Sequence, residues 1–171
     1  MYFCQSKKLS SNVKNKSEIN SGKEESGNPL YPVFLKLEDL RLLLVGGGNV
    51  ALEKLQSVLT NSPGTQITLV AKTILPEIID ISKEVTNLIL YEREFDPSDC
   101  DEVDLVFIAV NNNMLAEEIV EEAHGRNLLA NAADTPGLCD FYLGSIVKKG
   151  DLKIAISTNG KSPTLSKRLR E

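Results

Sequence analysis

Leu42-Leu43-Leu44-Val45-Gly46-Gly47-Gly48-Asn49-Val50-Ala51 is an apolar run that empties into a glycine turn and then into a helical pattern. A buried strand followed at once by G-x-G-x-x-A reads as the phosphate-binding corner of a nucleotide fold. Gly46 makes the tight turn, Gly48 lets the backbone approach a pyrophosphate, and Ala51 is small enough for the helix to pack closely on the strand. Glycine-rich β-to-α turns also occur in parallel sheets that bind nothing, so the surroundings carry the reading. Leu42–Val45 is a buried-strand pattern, and Ala51, Leu52, Leu55, Val58 and Leu59 recur at helical spacing after the turn.

Working outward, the same rhythm repeats. Tyr31–Leu37 predicts a short edge strand, with Pro32 where no ladder donor is needed. The helix from Asn49 runs to about Asn61 and stops at Ser62-Pro63-Gly64. Ile67–Val70 is the next strand, and Pro76 opens a short helix through Ile78, Ile79 and Ile81. Leu88–Tyr91 follows, and Asp104–Val110 is the longest apolar strand, expected to be central. Asn111-Asn112-Asn113 closes it, a helix puts Leu115, Ile119, Val120 and Ala123 on one face, and Leu128–Ala133 is the last parallel strand. Strands alternating with helices of this length predict an α/β fold, a doubly wound, Rossmann-like parallel sheet. After Asp134-Thr135-Pro136-Gly137 the rhythm breaks: 141–147 and 152–157 form a β-hairpin outside the wound sheet. A last helix begins at Ser162-Pro163, with Ser162 as N-cap. The expected organisation is a disordered tail over 1–28, a dinucleotide-binding domain over 29–136 and a separate region over 137–171.

The bulk numbers agree with one ordinary domain and an appendage. Of 171 residues, 42% are hydrophobic and 25% charged, which places the chain with soluble globular proteins. No run approaches the ~18 apolar residues of a bilayer-spanning helix. Met1-Tyr2-Phe3-Cys4 leads into lysines and serines without an apolar core, so no secretory leader is expected, and Glu18, Glu24 and Glu25 argue against organelle targeting. Residues 5–28 carry too few apolar side chains to offset their ordering entropy. Cys4, Cys100 and Cys139 show no C-x-x-C spacing and His124 is the single histidine; no metal site or disulfide framework is expected, in keeping with a cytoplasmic location. The net charge of −5 hides an asymmetry. From Gly144 onward seven cations (Lys148, Lys149, Lys153, Lys161, Lys167, Arg168, Arg170) face two anions, Asp151 and Glu171. A basic end on an acidic body suits an anionic ligand or a plain solvated face. Neither nucleic acid nor a membrane is an expected partner.

Ligands of open α/β sheets bind beyond the carboxyl ends of the strands. The candidates there are the turn from Gly46 to Val50, Lys72 and Thr73 after the second strand, Asn111 after the fourth, and Asn131–Asp134 after the fifth. The ribose carboxylate of an NAD site belongs at the end of the second strand, about 20 residues past the glycines. Ala71-Lys72-Thr73 stands there instead, so the residues leave NAD and NADP open. Asp134 is the ionisable group expected at the end of a wound strand, either as a proton acceptor or as the capping aspartate of a turn. Ser157-Thr158-Asn159-Gly160-Lys161-Ser162-Pro163 gathers hydroxyls, a glycine, a lysine and a helix start, a corner suited to anions or to a simple cap.

Together these residues resemble the siroheme synthase N-terminal family, the precorrin-2 dehydrogenases and sirohydrochlorin ferrochelatases. Tyr31–Leu37 is similar to the family's opening strand, and Leu44–Lys54 to its V-G-G-G-x-V-A-x-x-K segment. Ala130–Asp134 is similar to its N-x-x-D, and Ala155–Pro163 to its A-[IV]-S-[ST]-x-G-x-S-P element, with Thr158 at a position often serine. The resemblance covers residues 29–171. It implies NAD-dependent oxidation of precorrin-2 to sirohydrochlorin, with Fe²⁺ insertion into sirohydrochlorin as a second activity. An NAD(H)-binding sensor module and a chelatase without the redox step are the competing readings. By position, the resemblance gives Asn49, Val50, Lys72 and Thr73 to the cofactor, beside Gly46 and Gly48 from the turn spacing and Asn111 from its strand end; it makes Asp134 the catalytic base, and the Ser-Pro element gives Thr158, Gly160, Lys161 and Ser162 to the tetrapyrrole. It also implies a homodimer formed through the hairpin, with 137–171 as the dimerisation and tetrapyrrole-contacting region and the start of a further helical region.

Overall fold

The computed structural model describes residues 27–159. Five parallel strands form the main sheet in the order β3-β2-β1-β4-β5: β1 Arg41–Val45, β2 Gln66–Ala71, β3 Leu88–Glu92, β4 Leu105–Ile108 and β5 Leu129–Ala132. The glycine-turn strand β1 is thus central, whereas β4, expected to be the longest and central, lies between β1 and the edge strand β5 and has four residues against six in β2. The strand order reverses between β1 and β4, which is where such sheets open a ligand crevice. Helices α1 (Asn49–Asn61), α2 (Pro76–Glu84) and α3 (Asn113–Gly125) are the crossovers.

Both faces of the inner strands are covered, which is why β1 and β4 read as continuous apolar runs rather than alternating ones. Alternation survives inside the runs. Leu42 and Leu44 of β1 and Leu105 and Phe107 of β4 pack with α1 and α2, through Ala51, Leu55, Val58 and Ile78. Leu43, Val45, Val106 and Ile108 turn the other way and pack with Ala116, Ile119, Val120 and Ala123 of α3. Ala51 is fully buried, as close helix–strand packing requires. Cys100 lies in the second core and burial pushes its thiol up to about 11, the behaviour of a small core hydrophobe.

The hairpin is also present. β6 (Ser145–Lys149) and β7 (Leu152–Ile156) pair antiparallel as a separate two-stranded sheet, with Gly150 at φ +58° opening the two-residue turn. A turn of this length needs a positive φ at its first central residue, which glycine supplies. The Lys153 ammonium donates to the Asn61 carbonyl at 3.1 Å, so one face of the hairpin rests on the C-terminal end of α1.

One expected element is absent. Residues 31–36 form no strand, and a short 3-10 turn follows at Leu37–Asp39. Tyr31, Val33 and Phe34 are all more than half exposed. With no face of the segment buried and no donor on Pro32, there is nothing to offset the entropy of ordering it along a sheet edge. The helix expected from Ser162 lies outside the described residues.

Candidate nucleotide and proton-transfer site

The glycine turn is built by close backbone approach. Gly46 has φ +125°, and a Cβ placed on it would meet the Ala109 carbonyl oxygen at 2.2 Å. Its N–H donates to the Val70 carbonyl, while the Ala109 N–H donates to Val45. Gly46 therefore lets the ends of β1, β2 and β4 close on one another. Gly47, to which the spacing assigned no role, is equally constrained: a Cβ there would meet the Thr73 carbonyl oxygen at 2.2 Å, and its own carbonyl accepts from the Leu75 N–H. Gly48 differs. A Cβ on it would meet nothing within 4 Å, and it is the N-cap of α1, with no side-chain cap bond among the described residues. The first-turn N–H groups of a thirteen-residue helix thus begin beside an open surface occupied by Gly48 and Asn49, with Val50 half-buried. Uncapped amides and the positive end of a helix are what a pyrophosphate requires, and the corner fits a nicotinamide dinucleotide on that ground. α3 is different, since the Asn112 side chain caps its Met114 and Leu115 N–H groups. Asn111 is exposed in the loop immediately before that cap.

Lys72 and Thr73 are exposed past the end of β2. The Lys72 ammonium lies 2.7 Å from a Glu94 carboxylate oxygen just beyond β3, and this contact holds the Glu94 carboxyl below the usual carboxylate range. A carboxylate thus stands beside the place where the ribose carboxylate was missing, supplied by the neighbouring strand's loop.

Asp134 is exposed on the loop after β5 with φ +58°, a left-handed conformation that aspartate and asparagine tolerate better than most residues. The loop around it is pinned from behind. The Cys139 thiol donates to the Ala132 carbonyl at 3.0 Å and the Thr135 hydroxyl to Ala133 at 3.3 Å. Burial, first of all, raises the Cys139 thiol, keeping it a donor rather than a thiolate.

Beneath this loop lie Asn131, a strand-end candidate in the sequence, and Lys54, to which motif spacing assigned no role. Asn131, 5% exposed, donates to the Phe141 carbonyl at 2.8 Å and accepts from the Lys54 ammonium at 2.7 Å. Lys54 lies on α1 and passes over the Phe107 ring, 5.5 Å from its centroid. Burial lowers its pKa, opposed by the nearby Cys139, Glu53 and Asp134. The trace they left in sequence was their place in the quoted motif segments. Thr158 is half-buried just past β7; Gly160, Lys161 and Ser162 lie outside the described residues.

Residues 33–145 match a protein-family model described as "Putative NAD(P)-binding", and residues 149–171 match one described as "Sirohaem biosynthesis protein central". The chain belongs to the siroheme synthase N-terminal family. Its curated relatives include the siroheme synthase of Psychrobacter cryohalolentis, 36% identical over 140 residues, which cover 82% of this chain and 26% of that protein. The siroheme synthase of Baumannia cicadellinicola is 38% identical over 141 residues, covering 82% of this chain and 30% of that protein. The chain therefore spans less than a third of the length of these siroheme synthases. Among solved structures it is similar to "SirC, precorrin-2 dehydrogenase", with a TM-score of 0.70 and 28% identity over 82% of this chain and 67% of that one.

Proposed function

We propose that this chain is a precorrin-2 dehydrogenase that uses NAD to form sirohydrochlorin. The observation that carries the reading is the placement, on one carboxyl edge of a sheet reversing between β1 and β4, of an uncapped helix start and a protruding carboxylate, Asp134. The likeness to a precorrin-2 dehydrogenase supports the choice of substrate.

The oxidation removes one hydride and one proton from the tetrapyrrole. When bound, a nicotinamide dinucleotide would supply the two-electron acceptor. Gly46, Gly48, Asn49 and Val50 would hold its pyrophosphate at the start of α1, and Lys72, Thr73 and Asn111 would border the rest of it. Asp134 takes the leaving proton, for which an exposed carboxylate at the strand end is suited. NAD is favoured over NADP because Glu94 neutralises Lys72, the cation that would otherwise receive a 2′-phosphate, and sets a carboxylate against that phosphate's charge. The net positive charge of the segment after Gly144 complements a polycarboxylate tetrapyrrole. Thr158 and the residues Gly160, Lys161 and Ser162 are its proposed contacts. Fe²⁺ insertion is assigned to the same carboxylate, since the pyrrole N–H protons must leave as the metal enters.

The test is the Asp134→Asn chain supplied with precorrin-2 and NAD⁺. Asparagine keeps the left-handed backbone and removes only the base. NADH formation is expected to fall by about 10²–10⁴-fold while NAD⁺ affinity, read by titration, stays unchanged. Full turnover in this variant would remove Asp134 as the base. Metal uptake is read separately, from the sirohydrochlorin absorbance after Fe²⁺ addition without NAD⁺.

A further inference from the structure

Resting on that reading, we infer that Lys54 is a positioning residue for Asp134, acting through Asn131 and the Cys139 loop. Three elements meet at Asn131. Its carbonyl oxygen accepts from Lys54 of α1 at 2.7 Å, while its amide nitrogen donates to the Phe141 carbonyl at 2.8 Å and reaches the Cys139 sulfur at 3.6 Å. The Cys139 thiol in turn reaches the carbonyls of Ala132 and Thr135, at 3.0 and 3.5 Å, on either side of Asp134. The segment carrying Asp134 is therefore a loop closed at its base by side chains, and the chain of contacts that closes it ends on one ammonium group.

That ammonium is held where it is costly to keep. It lies over the Phe107 ring, which itself packs on Phe141 with ring centroids 5.9 Å apart, and burial depresses its pKa. A lysine kept in such a place needs a partner that fixes it, and a buried amide with both ends bonded is such a partner. The tether also links the two halves of the site. Lys54 sits five residues beyond Asn49, on the helix whose first turn is the proposed pyrophosphate site, so one contact ties that core-packed helix to the Asp134 loop. The charge of Asp134 favours the ammonium form of Lys54 against the burial that opposes it.

The experiment compares wild type with Lys54→Met, which keeps the apolar stem against Phe107, and Lys54→Arg, which keeps charge and donor. Two readouts are taken on the full chain: amide hydrogen exchange, and steady-state oxidation of precorrin-2. In Lys54→Met, exchange over residues 133–139 is expected to rise about tenfold with that of β1 unchanged. The same variant should lose about tenfold in kcat with the KM for NAD⁺ held within about twofold. Lys54→Arg should recover most of both effects. If exchange over 133–139 does not change, or if it changes and kcat does not, the positioning role is overturned. Loss of β1 protection as well would mark Lys54→Met as a folding defect; the comparison then rests on Lys54→Arg against Asn131→Ala, where the same loosening of 133–139 and loss of kcat in Asn131→Ala alone is expected and its absence overturns the role. A wild type that turns over no precorrin-2 would instead overturn the proposed function, while exchange still reports the tether, so the two failures are distinguishable.

Discussion

At the scale of single residues, three consecutive glycines have different jobs. Gly46 and Gly47 are required by the protein itself, because each lies where a side chain would overlap a backbone carbonyl at 2.2 Å. Gly48 faces open space, and a methyl there touches no described atom. Alanine at Gly46 or Gly47 is therefore expected to cost about 1–3 kcal/mol. At about 2–4 °C of melting temperature per kcal/mol for a chain of this size, the loss is measurable by thermal unfolding. Gly48→Ala should leave the melting temperature of the free protein within about 1 °C, a change under ~0.5 kcal/mol, yet weaken NAD⁺ binding in a fluorescence titration. A destabilised Gly48→Ala, or one that binds NAD⁺ as wild type does, would contradict the assignment of that surface to the pyrophosphate. The sequence motif marked Gly46 and Gly48 because their spacing is known chemistry. Gly47 was not legible, since what crowds it is Thr73, a residue of another loop.

At the scale of elements, the wound strands and helices were readable because burial on both faces writes them as apolar runs punctuated by Gly, Pro and Asn. The boundaries of α1 match the reading, and Asp104, read as the first residue of a strand, is instead used to clamp Arg41, accepting from its backbone N–H at 2.8 Å and its guanidinium at 3.0 Å. The 31–37 segment misled because its composition is that of a strand while its exposure is that of a loop; composition does not say whether a partner edge is in reach. A second clamp joins the start of β5 to the end of α3. Asp140 accepts from the Ala130 N–H at 2.8 Å and lies 2.9 Å from the His124 ring. Burial opposes the ionisation of Asp140, but those two contacts outweigh it and hold its carboxyl below the usual carboxylate range. A carboxyl whose folded value is depressed adds stability above its unfolded value, near pH 4, and loses it as pH falls through the folded value. Asp140→Asn is accordingly expected to cost about 1 kcal/mol at neutral pH, a partly exposed pair being screened. The gap to wild type should close below about pH 4. Melting curves of both chains across that range check the sign; a gap that widens in acid would refute it.

At the scale of the whole molecule, the wound sheet places the cofactor corner and Asp134 on one edge, while the contact joining them spans 77 positions of sequence. Such a pairing is invisible to any local pattern, which is why the candidate base could be named from its strand end but its support could not. The hairpin poses the remaining physical question. Lys153 faces α1, bonding the Asn61 carbonyl, and side chains alternate along a strand. Leu152 and Ile154 therefore turn away from the sheet, and they are 59% and 45% exposed. A two-stranded hairpin is marginal in water without a face to bury, and the cover we propose for this outward face is a second copy of the chain, which would present the same surface from both sides. Sedimentation equilibrium is expected to give about twice the 18.8 kDa chain mass at micromolar concentration. Leu152→Glu with Ile154→Glu should bring it to the monomer value while the melting of the wound sheet, whose core contains neither residue, is retained. A dimer that survives both substitutions would place the interface elsewhere.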